Sequence, residues 1–149
     1  TPSFYDPYRS DGRVSIVYGK TYRLLQQARA ALVTSGTATL ETALLRVPQV
    51  VGYYMRGGQF TYSLFRPMIK VDYVSLVNLI ADAPVVPELL VHHFSPDEAR
   101  RHLALLLDDT PERAAMLRGY DEMAARLGEP GAPERAARLI VESLTAPSR

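Results

Sequence analysis

The sequence contains no cysteine, which excludes disulfides, thiolate zinc sites and cysteine nucleophiles. It has almost no net charge: 17 basic against 16 acidic residues leave +1, so no overall field argues for a nucleic-acid partner. No apolar run approaches the ~18 residues of a membrane-spanning helix, and Thr1 to Ser10 has no signal-peptide core. Any membrane contact is therefore expected to be peripheral. Several motifs are missing as well. No Walker lysine follows Gly36 and no GxGxxG occurs, so kinase, NTPase and dehydrogenase phosphate loops lack their key residues. Ser35 is flanked by Val33 and Thr37 where a hydrolase elbow requires glycine. His92, His93 and His102 form no HExxH pattern, so no metal site is expected, and Glu98 one turn before His102 is its expected partner.

What remains is one domain's worth of chain, 149 residues of which 47% are hydrophobic, ample for a globular core. Its organising stretch is Leu32 to Glu41, LVTSGTATLE. An apolar run stops at Ser35-Gly36-Thr37, and Leu40, Ala43, Leu44 and Val47 follow at helical spacing up to Pro48. The pattern predicts a strand, a tight turn and a helix. The first four N–H groups of a helix lack intrahelical partners and carry the positive end of the macrodipole. No capping box serves them here, since the residues three on from Thr34 and Ser35 are Thr37 and Ala38. Gly36 lets a ligand approach the backbone, and the hydroxyls of Ser35 and Thr37 add donors, which points to an anion such as phosphate. Glu41 lies one turn further along the same side. A carboxylate there would repel a diphosphate but would accept hydrogen bonds from vicinal ribose hydroxyls, so the pair implies a nucleotide. The plain alternative makes Ser35 an ordinary N-cap and Glu41 a solvated helix residue.

Around this stretch the chain alternates. Thr1 to Gly12 reads as a loop, Arg13 to Tyr18 as a strand with Gly19 as its exit turn, and Lys20 to Ala30 as a helix. Ala31 to Thr34, Thr37 to Val47 and Gln49 to Tyr54 follow as strand, helix and strand. This β-α-β-α-β order predicts an α/β fold with a partial Rossmann-like parallel sheet, its ligands beyond the carboxyl ends of the strands. Three strands make a narrow sheet, so strands belonging before Thr1 are expected to be missing. Arg56, beside Gly57 and Gly58, could reach a diphosphate from the third strand's end or be a solvated surface arginine. Phe60, Leu64 and Met68, edged by Arg66 and Lys70, form a greasy stripe suited to acyl chains, to a membrane surface or to the core. Asn78 interrupts the apolar run of Lys70 to Ala81 as either a local backbone clamp or a ligand contact. Glu88 to Leu90 reads as one helical turn. The last third is helical with its own caps: Ser95-Pro96-Asp97-Glu98, then Thr110-Pro111, then a helix from Pro133 carrying Ala137, Ile140, Val141 and Leu144.

SGTATLE, PQVVGYYM, KVDYVSLVNLIA and VPELL, in this order and spacing, resemble the C-terminal half of the bacterial lipid-A-disaccharide synthase family, a two-domain glycosyltransferase family of the GT-B type. The resemblance implies an incomplete Rossmann-like nucleotide-sugar-binding region over residues 1–90 and a helical region packing on it over 91–149. It implies a hexosyltransferase that moves a diacylated glucosamine from UDP to a diacylglucosamine 1-phosphate, without metal or cofactor. Ser35, Gly36 and Thr37 would meet the diphosphate, Glu41 the ribose, and Asn78 a sugar or phosphate edge. By wider fold analogy Tyr18 and Gly19 would border the uracil. A cytoplasmic place on the inner membrane surface and a homodimer through the C-terminal helices are further expectations. The general base would lie in the other half, so this chain alone would bind at best. The competing readings are a non-catalytic nucleotide or anion-binding module and a helical interaction domain.

Overall fold

Gln49–Tyr53 (β2) forms the middle of a three-stranded parallel sheet, between Ala31–Thr34 (β1) and Glu88–Leu90 (β3). Ala31 pairs with Gln49 and Thr34 with Gly52, while Val51 pairs with Glu88 and Tyr53 with Leu90. The structure, a computed structural model, describes residues 2–9, 12–34, 36–53, 72–90 and 94–145. In these the sheet is joined by a 3-10 helix Pro2–Arg9 and six α-helices: Thr21–Leu25 (α1), Thr37–Leu44 (α2), Leu76–Ala81 (α3), Pro96–Leu107 (α4), Pro111–Leu127 (α5) and Ala132–Thr145 (α6).

Alternation along β2 sends neighbouring side chains to opposite faces, and both faces are covered. Gln49 reaches Thr39 of α2 and Tyr120 of α5 on one face. Gly52 lies on the other, so close to Phe94 that a Cβ would come within 2.5 Å of its ring. Two-sided burial explains why β2 reads as an almost unbroken apolar run, QVVGY, rather than as alternating residues. The core joins Val50 and Val51 to Ala43, Val77, Val86, Leu89, Leu106, Met116, Tyr120 and Met123, drawn from the sheet, from α2 to α5 and from the turn before β3. β1 differs. Among the described residues it has a strand partner on one side only, and its Leu32 stays 48% exposed.

The expected α/β class with C-terminal helices is what the structure shows. Three details differ. Arg13 to Tyr18 is not a strand, and Val14, Val17 and Tyr18 are exposed. A strand needs a neighbour. The order β1-β2-β3 steps one way only, like one half of a doubly wound sheet, and the unit before β1 would belong to the opposite half. Second, the helices α1 and α2 are shorter than the apolar spacing implied. α2 stops because Arg46 turns to φ 60°, with Arg46 N–H bonding Ala43 O at 2.8 Å and Val47 N–H bonding Thr42 O at 3.1 Å, a Schellman closure. Arg46 then pairs with Asp121 of α5. Third, Glu88 to Leu90 is a strand and not a helical turn, because β2 offers it an edge. The expected strand end at Tyr54 lies just outside the described residues, where β2 is described to Tyr53.

The C-terminal helices start where their caps predict. Ser95 accepts from Glu98 N–H at 3.1 Å and Thr110 from Arg113 N–H at 3.1 Å. His102 lies 3.8 Å from Glu98, whose closer partner is Arg101 at 2.6 Å. α4 packs on β1 and β2, and α5 on α3. α6 has no buried residue, and Leu139, Ile140, Val141 and Leu144 are all exposed.

Tyr120 closes this packing. Its hydroxyl donates to Val47 O at 3.1 Å and accepts from Gln49 Nε2 at 3.3 Å. Burial holds the phenol above its ordinary pKa, against the opposing bond from Gln49. Tyr120→Phe leaves those buried groups short of a partner and is expected to lower stability by about 1–3 kcal/mol in urea melts at neutral pH. Because the native phenol resists ionising, its contribution holds below the unfolded tyrosine pKa of about 10 and is lost as pH climbs past it. The alkaline fall in stability should therefore be shallower in Tyr120→Phe than in the parent chain.

Candidate functional site

The mouth of α2 is built by the glycine that precedes it. Gly36 has φ 102° and ψ −157°, a backbone region that is essentially glycine-only, and a Cβ built there would meet nothing within 4 Å. A glycine cap has no side chain to fold back, and among the described residues no side chain caps this helix. Thr39 N–H and Thr39 Oγ1 both turn to Gly36 O, at 3.2 and 2.9 Å. Gly36, Thr37 and Ala38 are all exposed. The contrast with α3 is chemical. There Ser75 Oγ accepts from Asn78 N–H at 3.3 Å, and the Glu88 carboxylate accepts from Val74 N–H at 3.0 Å and Ser75 N–H at 2.8 Å. One helix mouth is closed by an anion of the protein itself; the other is open to solvent.

Beside the open mouth lies a cleft of ≈ 940 Å³ lined by Gly19, Lys20, Thr21, Tyr22, Arg23, Ala38 and Glu41. A second cleft of ≈ 480 Å³ continues between α1, β1 and α2, sharing Thr21, Ala38 and Glu41. The structure thus brings Glu41 and Gly19 to one cleft, next to Gly36 and Thr37. Tyr18 does not line this cleft: its ring meets Tyr5 edge-on at 6.2 Å. Its charged lining among the described residues is Lys20, Arg23 and Glu41, two cations and one carboxylate. Among the described residues no group of His, Asp or Glu is arranged to hold a metal ion, and no helix is long and apolar enough to cross a membrane.

Asn78 serves the fold. It is buried, donates through Nδ2 to Val86 O at 2.9 Å and Glu88 Oε1 at 2.9 Å, and accepts from Val86 N–H at 2.9 Å. Both amide hydrogens are used within the protein, the arrangement of a backbone clamp. Ser35 and Arg56 lie outside the described residues, as do His92, His93 and the aromatic stripe from Phe60 to Met68.

The chain matches the model of the lipid-A-disaccharide synthetase family over residues 7–138. It is 38% identical over 139 residues to the lipid-A-disaccharide synthase of Anaeromyxobacter dehalogenans strain 2CP-C, covering 91% of this chain and 36% of that protein. To the lipid-A-disaccharide synthase of Myxococcus xanthus strain DK1622 it is 41% identical over 129 residues, 87% of this chain and 33% of that one. The chain belongs to the lipid-A-disaccharide synthase family. It spans about a third of the length of these relatives.

Within this family member, the sequence alone left two residues unremarked. Glu88 stands inside VPELL, but its work depends on Val74, Ser75 and Asn78 arriving from another segment, which no local pattern announces. Tyr22 reads as one apolar position of a helix, and only the cleft shows which way it faces. Asn78→Ala leaves Val86 and Glu88 without their partners in a buried place. The expected cost is about 1–3 kcal/mol in denaturant melts without ligand. Unchanged stability would remove the clamp.

Proposed function

We propose that this chain is the donor-binding part of a glycosyltransferase that builds the lipid A disaccharide, holding the UDP end of a UDP-linked diacylglucosamine. The observation that carries it is the uncapped mouth of α2 beside the cleft containing Glu41. Anions are stabilised at such a mouth by oriented N–H groups and the helix dipole. A diphosphate at Gly36 and Thr37 puts the ribose near Glu41, one turn deeper, where a carboxylate can accept from both hydroxyls. Ser35 and Arg56 would add to the diphosphate contacts, and Gly19 borders the same cleft. Family membership supplies the substrate class.

In the full-length protein the reaction would break the bond from the anomeric carbon to the UDP oxygen. It would form one to the acceptor's 6-hydroxyl, whose proton passes to a base in the N-terminal half. The role of α2 is then electrostatic: its N–H groups stabilise charge that grows on the departing UDP, and such preorganised donors contribute several kcal/mol in comparable sites. The acceptor is an acylated glucosamine 1-phosphate, approached from the inner membrane surface facing the cytoplasm. The bare apolar face of α6 suits a homodimer contact. Residues 1–90 act as the nucleotide-sugar region and 91–149 as its helical support.

Titration calorimetry of this chain with UDP tests the proposal. Binding is expected, without hydrolysis of the donor. Glu41→Ala and Thr37→Val should each weaken it by about 1–2 kcal/mol, the cost of losing one hydrogen-bond partner to a charged or hydroxyl group. If UDP and inorganic phosphate bind equally weakly, the chain is a general anion module. If neither binds, the donor reading is wrong.

A further inference from the structure

Of the described side chains that line the ≈ 940 Å³ cleft, Tyr22 alone is aromatic. Its ring is 57% exposed, and it makes no hydrogen bond or ring contact with the described residues. An aromatic ring left out of the core needs a reason only when it borders something, and this one lines the same cleft as Glu41 and Ala38. Tyr18, four residues earlier, sits edge-on to Tyr5 and lines no part of this cleft. Tyr22 shares this cleft with Glu41, Lys20 and Arg23, and Ala38 of the first turn of α2 lines it too.

We propose that Tyr22 is the side chain against which the nucleobase of the donor stacks, so that the cleft selects a nucleoside diphosphate over a bare diphosphate. This rests on the donor reading above and assigns the base end of the same site. The chemistry is ordinary. A base presents a flat π-face whatever its edge, and stacking on a tyrosine ring removes both faces from water. Glu41 accepts from the ribose in the same cleft, so one cleft offers a partner to the sugar and a ring to the base.

The test is calorimetry of the chain with UDP, with uridine and with inorganic pyrophosphate, for the parent, Tyr22→Ala and Tyr22→Phe. Tyr22 lies on the exposed side of a surface helix, and circular dichroism of each variant checks that the fold is kept. The inference expects Tyr22→Ala to weaken UDP and uridine about tenfold, to leave pyrophosphate unchanged, and Tyr22→Phe to retain parental affinity. Parental UDP affinity in Tyr22→Ala, or equal losses for UDP and pyrophosphate, would overturn it while the donor reading stands. No UDP binding by the parent chain would overturn both.

Discussion

The amide of Gln49 holds the architecture together. At the start of the central strand, fully buried, it donates to Thr39 O in the first turn of α2 at 2.8 Å and to the hydroxyl of Tyr120 in α5 at 3.3 Å, while Tyr120 donates in turn to Val47 O. One side chain thus ties the sheet to the helix that opens on the cleft and to the helical segment that covers that face. Its Oε1 has no partner, a cost offset only because the other bonds are made. Thr39 is three residues from Gly36. The mouth of α2 is therefore not free to swing, and its N–H groups keep one direction relative to β1.

That fixed direction gives meaning to the difference between α2 and α3. Both begin with N–H groups that the helix cannot use. At α3 the protein supplies Glu88 and Ser75, and the site is spent. At α2 it supplies a glycine whose conformation no other residue adopts without strain, and among the described residues no side-chain cap. Capping α2 with a serine or aspartate at position 36 would be locally favourable in an ordinary helix. A glycine there in place of such a cap costs about a few tenths of a kcal/mol of helix stability, which a bound anion returns.

Much of this was legible in order along the chain. The caps at Ser95 and Thr110 were visible because a cap is a three-residue event, and α2 and β2 because apolar spacing and Pro48 bound them. The open mouth was visible as the absence of a capping box. What was not visible is long-range. Arg13 to Tyr18 has the pattern of a strand, but pattern becomes strand only beside a neighbour. Glu88 to Leu90 is too short to declare a period, and the edge of β2 decides it. Asn78 showed that a buried amide needed partners without showing which. Val86 and Glu88 answer that across a turn. Tyr22 and Tyr18 are indistinguishable in sequence, and only the path of the chain after Gly19 separates the ring on the cleft from the ring on Tyr5.

The one-sided pairing of β1 has a practical side. A parallel strand whose outer N–H and C=O groups meet no strand among the described residues, with Leu32 half exposed above them, is a template for copies of itself. Its shortness blunts that tendency without abolishing it. Protein concentration is therefore a variable in its own right for this polypeptide, and a dilution series belongs beside every isotherm recorded on it.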